Sequence, residues 1–258
     1  MLLILFQGIF FCAVSAQNAT HLRKPQADEV YLQEVSEKIP TQQPVESVAL
    51  AGNSCFAVIE GKIHVLQNQK FVAVPGSPEK VTRLMSLSGS MWAFSANGIF
   101  RLENSAWKKA DDHIFVDMCL HNGKIHAATR NEIFRLDGNR FVSIKPEGGY
   151  YSSDVTMMME DGSQIHDTPV ELGPINRIES YSGTLYVLRP DKLILFDGKI
   201  VNEDFIDWGI LPSKNTRDLL SLGSRLLISS QKGLGVLRGA ALTIVKGSDG
   251  LPVENTYC

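Results

Sequence analysis

The chain has 258 residues, a length that predicts one large domain or two small ones. Hydrophobic residues make up 44% of it, which is enough for an ordinary globular core. Charged residues make up 21% and the formal net charge is -3, so the chain lacks the strong positive field that binding to nucleic acid or adhesion to a membrane through basic clusters requires. We therefore expect no nucleic acid among its partners.

The first 16 residues, MLLILFQGIFFCAVSA, are almost purely apolar, and the polar segment QNATHLRKPQADE follows them. This run is shorter than the roughly 20 residues that a membrane-spanning helix needs. Small residues stand at 14–16, where a signal peptidase would cut, so residues 1–16 are predicted to be a secretory signal. The alternative is an uncleaved anchor, because no Lys or Arg follows Met1. We predict a secreted or periplasmic protein with no membrane segment beyond this signal.

Three cysteines remain after removal of the signal: Cys55, Cys119 and Cys258. An odd number gives no complete disulfide framework. We interpret Cys55 and Cys119 as small buried hydrophobic residues, because each lies inside an apolar run. His64 and His126 fall within predicted strands at non-equivalent positions. No histidines share the local spacing of metal ligands, so they are interpreted as structural or surface residues, and no metal or cofactor is predicted.

One sequence pattern recurs five times from residue 56 onward. A large residue opens a short apolar run, a turn of polar residues or glycine follows, and a second apolar run completes the unit. The copies are FAVIEGKIHVLQN (56–68), WAFSANGIFRLEN (92–104), HAATRNEIFRLDG (126–138), YVLRPDKLILFDG (186–198) and LISSQKGLGVLRG (227–239). A glycine precedes each copy by three or four residues, at Gly52, Gly89, Gly123, Gly183 and Gly223. A further large apolar residue follows at a constant offset of 15, at Phe71, Trp107, Phe141, Val201 and Leu242.

The repeat predicts a meander of four short strands, because short apolar runs alternate with Gly, Asn and Asp. The dipeptides Asp137-Gly138 and Asp197-Gly198 tolerate the positive φ of tight hairpin turns. A lone four-stranded sheet cannot cover both of its faces, so repeats of this length predict sheets that stack on one another. The copies begin 36, 34, 60 and 41 residues apart, and spacings near 40 with four strands are typical of β-propeller blades.

We therefore predict an all-β fold, a β-propeller of about six to seven four-stranded blades that is incomplete at its C-terminus. The blades lie within residues 47–258, at approximately 47–81, 82–115, 116–149, 176–216 and 217–250, and a further blade starts at 251–258. The interval 150–175 is interpreted as a short blade or as an insertion on the third. Residues 17–46 form a polar segment whose strands could close the ring. The alternative is that the chain is the amino-terminal part of a longer protein.

Two copies of the repeat carry a longer motif, G-x-[L/I]-[W/Y/H]-A-x-[T/S]-x-x-G-[I/L]-x-[R/V]-L. Gly89–Leu102 and Gly123–Leu136 match it most fully, the second with Glu132 in place of the second glycine. The motif resembles the repeat of two-component-regulator propellers, and GSDGLPVENT (247–256) looks like the link between blades in that family. The resemblance covers roughly residues 47–258. It implies an exported ligand-sensing propeller of the kind found in bacterial hybrid sensor kinases, or a secreted module that stands alone or is joined to an enzyme.

Ligands of propellers usually sit on loops at one face of the ring, because loops vary freely on a rigid frame. We place that face at the turns between second and third strands and at the links between blades. The candidate ligand-binding residues there are Arg130, Arg189, Lys232, Asp112, Tyr150, Tyr151, Trp208 and Arg217. Aromatic rings beside mixed charge suit sugars, and the three basic turn residues would favour an acidic polysaccharide.

The leading functional interpretation is a secreted, non-enzymatic module that binds or senses a polysaccharide or oligosaccharide. The alternative partner is an extracellular protein. No catalytic motif is present. The runner-up is a propeller lyase or glycoside hydrolase, which requires two ionisable side chains with shifted pKa values at the mouth of the channel. A structural scaffold is the third interpretation. Carboxylates available in loops are Asp111, Asp112, Asp154, Glu160, Asp161 and Asp167. Arg101 and Arg135 recur at equivalent repeat positions and are predicted to make structural contacts between blades.

Overall fold

The computed structural model describes residues 39–150, 172–190, 193–202, 216–230, 233–239 and 241–245. All of them belong to one compact unit, Ser36–Cys258. Within these ranges the regular secondary structure consists of β-strands, and no helix is present. The all-β prediction is therefore confirmed.

The strands of the described residues form five separate sheets. The first sheet contains β1 (Val45–Ala51), β2 (Ser54–Ile59), β3 (Lys62–Gln67) and β4 (Lys70–Ala73). The second contains β5 (Val81–Leu87), β6 (Ser90–Ser95), β7 (Gly98–Glu103) and β8 (Ala106–Asp111). The third contains β9 (Asp117–His121), β10 (Lys124–Ala128), β11 (Ile133–Asp137) and β12 (Arg140–Ile144). The fourth contains β13 (Gly148–Tyr150), β14 (Arg177–Tyr181), β15 (Thr184–Leu188), β16 (Leu193–Phe196) and β17 (Ile200–Asn202). The fifth contains β18 (Thr216–Leu222), β19 (Arg225–Ser230), β20 (Gly233–Arg238) and β21 (Ala241–Val245).

Each sheet is an antiparallel meander of four strands in chain order, and these meanders resemble propeller blades. The fourth sheet carries an additional strand, because β13 pairs in parallel with β17 on its outer edge. The prediction of four-stranded sheets is confirmed. The ring of six to seven blades stays a prediction, since the described residues contain five sheets. Residues 151–171, most of the interval interpreted as a short blade or as an insertion, lie outside the described residues.

The glycine that precedes each repeat copy lies in the turn between the first and second strands of a sheet. These five glycines all have a positive φ, between 56° and 78°. In the third sheet the turn is Asn122-Gly123, with φ values of 49° and 73°, as in the type I′ turn that suits the twist of two antiparallel strands. The repeat copy therefore begins in the second strand of its sheet.

The apolar core of the described residues is divided into four clusters, one between each pair of consecutive sheets. Each cluster has buried members from both sheets, such as Val58 and Met91, Trp92 and Phe134, Ile133 and Phe196, and Tyr186 and Ile228. Cys119 belongs to the cluster between the third and fourth sheets, which confirms its interpretation as a buried hydrophobic residue. Cys55 is half-buried, and both thiols are free.

The first and fifth sheets each carry exposed apolar side chains on the face that is turned away from the neighbouring described sheet. On β1, Val48 is 56% exposed and Leu50 is 61% exposed. On β18, Leu220 is 42% exposed and Leu222 is 60% exposed. Alternation along each strand places these residues on the side that does not contact another described sheet.

A glycine at the start of β7 is required by a close approach of the backbone. Gly98 has a φ of 115°, and a Cβ there would lie 2.4 Å from the carbonyl oxygen of Asp111 in the last strand of the sheet. Gly233 opens the third strand of the fifth sheet in the same way, with a Cβ position 2.6 Å from the carbonyl oxygen of Val245. The second glycine of the repeat motif therefore keeps the third and fourth strands in contact.

Replacing Gly98 by alanine should lower the free energy of unfolding by about 2–4 kcal/mol, because the new methyl group must displace backbone atoms in a conformation that alanine avoids. The control is Gly89→Ala, where φ is also positive but no atom lies within 4 Å of the added Cβ. That control should cost about 1 kcal/mol. Denaturant unfolding of both variants measures the difference, and equal losses would contradict the packing argument.

Candidate functional site

The first strand of every described sheet carries a polar residue at the same register position. Each of these residues stands nine places before the large residue that opens the repeat copy. They are Ser47, Arg83, Asp117, Arg177 and Asp218. First strands of consecutive sheets lie beside one another, as β1 does with β5, β9 with β14 and β14 with β18. The polar residues therefore form a row along the inner edges of the sheets.

Two ion pairs within this row join consecutive sheets. The Nη1 of Arg83 donates to Oδ1 of Asp117 at 2.6 Å, which links the second sheet to the third. The Nε of Arg177 donates to Oδ1 of Asp218 at 2.8 Å, which links the fourth sheet to the fifth. The sign of the charge alternates from sheet to sheet at this position, so each arginine finds a carboxylate on the following sheet.

The same position also satisfies backbone groups at the sheet edges. A first strand has no neighbour on its inner side, so its outward N–H groups need a partner from elsewhere. Oδ2 of Asp117 accepts the N–H of Ile178 on the next sheet at 3.0 Å. Oγ of Ser47 accepts the N–H of Leu84 in the equivalent arrangement, also at 3.0 Å.

Asp117 is the most buried member of the row, with 3% of its surface exposed. Burial raises the pKa of its carboxyl group. The positive charges of Arg83 and Arg177 oppose this rise, as do the N–H groups of Ile178 and Met118. Its two oxygens are both engaged, so this carboxylate serves to fasten sheets together rather than to contact a ligand.

Glu179 lies on β14, two residues after Arg177, and is half-buried. One of its carboxylate oxygens accepts the N–H of Ser180 at 3.2 Å. The pKa of Glu179 is raised to about 7. Burial is the largest cause, the negative charges of Asp117 and Asp218 act in the same direction, and the Ser180 N–H and Arg83 oppose them. A carboxyl group of this kind exchanges its proton close to neutral pH, which is a common property of functional sites.

Glu179 should make the protein less stable as the pH rises from 4.5 to about 7. In this window the folded state retains a proton that the unfolded state has released, because the pKa is raised from an ordinary value of 4.5. We expect a loss of about 1–2 kcal/mol, allowing for partial exposure of the side chain. Glu179→Gln should show a flatter dependence of unfolding free energy on pH across this range and greater stability at pH 8. An unchanged profile in the variant would contradict the raised pKa.

A cleft of about 270 Å³ opens between the third and fourth sheets. It lies where β9 turns into β10 and where β16 turns into β17. The residues lining it are His121, Asn122, Lys124, His126, Arg135, Ile144, Leu185, Phe196, Asp197 and Gly198. The third sheet supplies mostly polar side chains. The fourth supplies an apolar floor of Leu185 and Phe196, together with Asp197, whose Oδ1 accepts the backbone N–H groups of Lys199 and Ile200.

The cleft exists where the third sheet departs from its own repeat. The large residue that opens the repeat copy is Phe56 in the first sheet, Trp92 in the second and Tyr186 in the fourth, but His126 in the third. Five places earlier, at the end of the first strand, the third sheet has His121. The second and fourth sheets have Leu87 and Tyr181 at that position. An imidazole fills less of the space between sheets than an indole or a phenol, and it exposes nitrogen atoms to that space.

The two imidazole rings lie together, with centroids 5.1 Å apart and planes at 80°. Nδ1 of His126 lies 3.2 Å from the carbonyl oxygen of Lys124, which can only accept a hydrogen bond. This contact assigns the proton to Nδ1 and leaves the Nε2 lone pair of His126 free. His121 is held through Nδ1 by the hydroxyl of Ser180 at 2.9 Å and through Nε2 by the amide of Asn122 at 3.0 Å. Burial lowers the pKa of both histidines, so both are neutral at neutral pH.

Two cations stand at the mouth of the cleft and share one carboxylate. Nη2 of Arg135 donates to Asp137 at 2.6 Å, and its Nε donates at 3.1 Å. The ammonium of Lys124 donates to the same residue at 3.1 Å. Hydrogen bonds from Arg135 and then from Lys124 lower the pKa of Asp137 to about 2, so this group is ionised at any physiological pH.

The repeated arginines contact their own sheets rather than neighbouring blades, which corrects the prediction from the repeat. Arg101 stands over the ring of Trp92, 5.4 Å from its centroid, and 3.7 Å from a carboxylate oxygen of Glu103. Arg135 has the equivalent carboxylate but a histidine in place of the tryptophan. Losing that ring leaves the guanidinium at the edge of an open cleft.

None of the predicted ligand-binding residues that the structure describes lines this cleft. Arg130 and Arg189 lie in the links between second and third strands, at the opposite ends of the sheets, and Arg130 is exposed. Asp112 is exposed and pairs with Lys109. Tyr150 ends β13 and Arg217 lies in β18, beside the polar row. Lys232, Tyr151 and Trp208 lie outside the described residues, so their role stays a prediction.

The loop carboxylates considered for catalysis are partly accounted for by local contacts. Asp111 accepts the N–H of His113 at 2.9 Å. Asp154, Glu160, Asp161 and Asp167 lie outside the described residues. In the described part of the chain, no group of three His, Cys, Asp or Glu side chains could hold a metal ion. The same residues include no helix that is long and apolar enough to cross a membrane.

Comparison with known proteins finds similarity at the level of the fold. No family model matches the chain, and no curated protein matches its sequence. The chain is similar to the extracellular domain of BT4673 from B. thetaiotaomicron, assigned to hybrid two component systems, with a TM-score of 0.59 and 12% identity over 85% of this chain and 31% of that one. A second structure of the BT4673 extracellular domain gives a TM-score of 0.57 and 12% identity over 84% of this chain and 31% of that one. The extracellular domain of BT3049 from the same organism gives 0.46 and 16% identity over 84% and 36%.

The two BT4673 structures confirm the resemblance to two-component-regulator propellers as a likeness of fold. The chain spans about a third of the length of the BT4673 domain. At 12% identity the likeness does not carry over any binding residue.

Proposed function

We propose that this chain is part of an extracellular sensory β-propeller and that it binds a sugar. The likeness to the BT4673 extracellular domain supports the extracellular setting, and so does the apolar segment at residues 1–16. The chain would then act outside the cytoplasm, in the periplasm or beyond the cell. A sugar ligand or an extracellular protein is the partner that such a module would meet.

A closed ring of six to seven blades is part of this proposal. The far faces of the first and fifth sheets support it, because Val48, Leu50, Leu220 and Leu222 leave apolar surface uncovered. In a propeller, the face of every blade is covered by the next blade. Further blades between the fifth sheet and the first would cover both faces.

The cleft between the third and fourth sheets is the observation that carries the binding function. A repeat protein needs identical packing at each interface, so a polar interruption at one interface is expected where a ligand binds. The polar residues His121, His126 and Lys124 surround an apolar floor formed by Leu185 and Phe196. Sugars present hydroxyl groups along their rim and C–H groups on their faces, and this lining matches both.

A second candidate function is enzymatic, and Glu179 is the observation that favours it. Its pKa of about 7 gives a carboxyl group able to donate a proton at neutral pH. Asp117 is a second carboxylate nearby in the polar row, but its oxygens are occupied by Arg83 and by the N–H of Ile178. Glycoside cleavage needs two available carboxyl groups, so the binding function is favoured.

One experiment separates the two candidates. We expect the full chain to bind at least one soluble polysaccharide of an acidic and neutral panel in isothermal titration calorimetry, and to leave its chain length unchanged on long incubation. Size-exclusion chromatography and a reducing-end assay check the second point. Glu179→Gln should bind as the parent protein does, since Glu179 lies outside the cleft. Chain shortening that is abolished by Glu179→Gln would establish the enzymatic candidate instead, and binding to no member of the panel would contradict the proposed ligand.

A further inference from the structure

The mouth of the cleft has cationic donors that the protein leaves unused. Asp137 occupies Nε and Nη2 of Arg135, while Nη1 has no acceptor among the described residues. The ammonium of Lys124 gives one of its three N–H groups to Asp137, and its side chain is 54% exposed. A guanidinium edge beside an ammonium is a natural partner for a carboxylate oxygen.

The interior of the cleft has an acceptor that the protein also leaves unused. Nδ1 of His126 is committed to the carbonyl oxygen of Lys124, so Nε2 carries a lone pair. No described residue donates to it. Because His126 lines the cleft, a ligand hydroxyl could donate a hydrogen bond to this nitrogen. Inorganic anions and simple carboxylates lack the combination of a hydroxyl donor and a carboxylate that these two sets of groups require.

The size of the cleft suits one sugar ring. Its volume of about 270 Å³ lies below the roughly 300–1,000 Å³ of pockets that hold drug-sized molecules. Ile144 from the third sheet and Leu185 and Phe196 from the fourth form its apolar part. A flat pyranose ring can lie against such a surface through its C–H groups.

We propose that this cleft binds a single acidic sugar unit, a hexuronate, with its carboxylate on Lys124 and Arg135 and a ring hydroxyl donating to Nε2 of His126. The inference rests on the proposed function and names the ligand class of the same site. Asn122 and His121 orient one another at the edge of the cleft and hold the second imidazole in place. Lys124 and Arg135 favour a ligand with a carboxylate over a neutral sugar, and His126 favours a ligand with a ring hydroxyl over a simple carboxylate.

The chain offers an internal control, because the tetrapeptide Gly-Lys-Ile-His occurs twice. It occupies residues 61–64 in the first sheet and 123–126 in the third. In both copies the Nδ1 of histidine contacts the lysine carbonyl oxygen, at 3.1 Å for His64 and 3.2 Å for His126. Only the second copy lines the cleft.

The test is titration of the full chain with D-galacturonate and D-glucuronate, against the neutral sugars D-galactose and D-glucose and against acetate. Binding is measured by calorimetry and by shifts of the His126 imidazole nitrogens in NMR spectra. We expect one uronate to bind and to shift the Nε2 signal. Affinity should fall at least tenfold in His126→Tyr, which places the residue of the fourth sheet in the third, and in Lys124→Gln. His64→Tyr and Lys62→Gln should bind as the parent does.

Each outcome decides the inference. Loss of uronate binding in the 123–126 variants alone would support it. Equal affinity for uronate and neutral hexose would overturn the acidic selectivity but leave a sugar-binding function intact. Uronate binding that survives both cleft variants would place the site elsewhere and overturn the inference. Binding of a polysaccharide without binding of either uronate would also overturn it. If His126→Tyr fails to unfold cooperatively, the uronate affinity of Lys124→Gln tests the inference instead, because the exposed side chain of Lys124 is not needed for packing.

Discussion

The structure depends on one buried carboxylate that touches three consecutive sheets. Asp117 belongs to the third sheet, receives Arg83 from the second and accepts the backbone N–H of Ile178 from the fourth. Apolar packing between sheets is non-directional and would tolerate sliding. Hydrogen bonds of fixed length at the inner edge do not, so they determine how far each sheet is displaced along the next. The apolar clusters can then interlock in a single arrangement.

Because hydrogen bonds fix the positions of the sheets and apolar packing fills the space between them, the packing at one interface can change without loss of the fold. At the end of the sheets that carries Asp117, contacts between the third and fourth sheets follow the common plan, with buried residues such as Ala128 and Ile178. From the middle of the third sheet to its other end, His126 and then His121 replace the bulky residues of neighbouring sheets. The fixed end holds the sheets at a constant separation, so the space left by the smaller rings remains open.

Much of the fold could be predicted from the sequence because it is encoded locally. Turn glycines, the large residue of the second strand and the apolar runs recur at nearly fixed spacing, and each sheet is complete within about 30 residues, a length set by four short strands and their turns. The repeat alone does not predict β13 (Gly148–Tyr150), which joins the outer edge of the fourth sheet by parallel pairing with β17. Pairing of that kind depends on contacts distant in the sequence.

The site was harder to predict, and the reason is physical. Polar residues stand at a constant distance before four of the repeat copies, at Arg83, Asp117, Arg177 and Asp218. Because these residues alternate in charge, the copies share no single residue type at this position that would mark it as equivalent. His126 was interpreted as structural because a lone histidine in an apolar strand usually is. The sequence feature that distinguishes His126 is its position at the start of the repeat copy, where three other sheets carry Phe56, Trp92 and Tyr186. A departure from the repeat is informative only once the equivalent positions are known to face the same interface.

The nearly regular chain order of the strands has a consequence for how the protein is made. Apart from β13, the strands of each described sheet pair with their neighbours in the chain, and the main contacts between described sheets join one sheet to the next along the chain. Such a molecule can fold from its amino-terminal side as it is synthesised, with each new sheet packing on the one before it. The Arg83–Asp117 pair forms only when the third sheet is in place, and it then fixes the second sheet against the third.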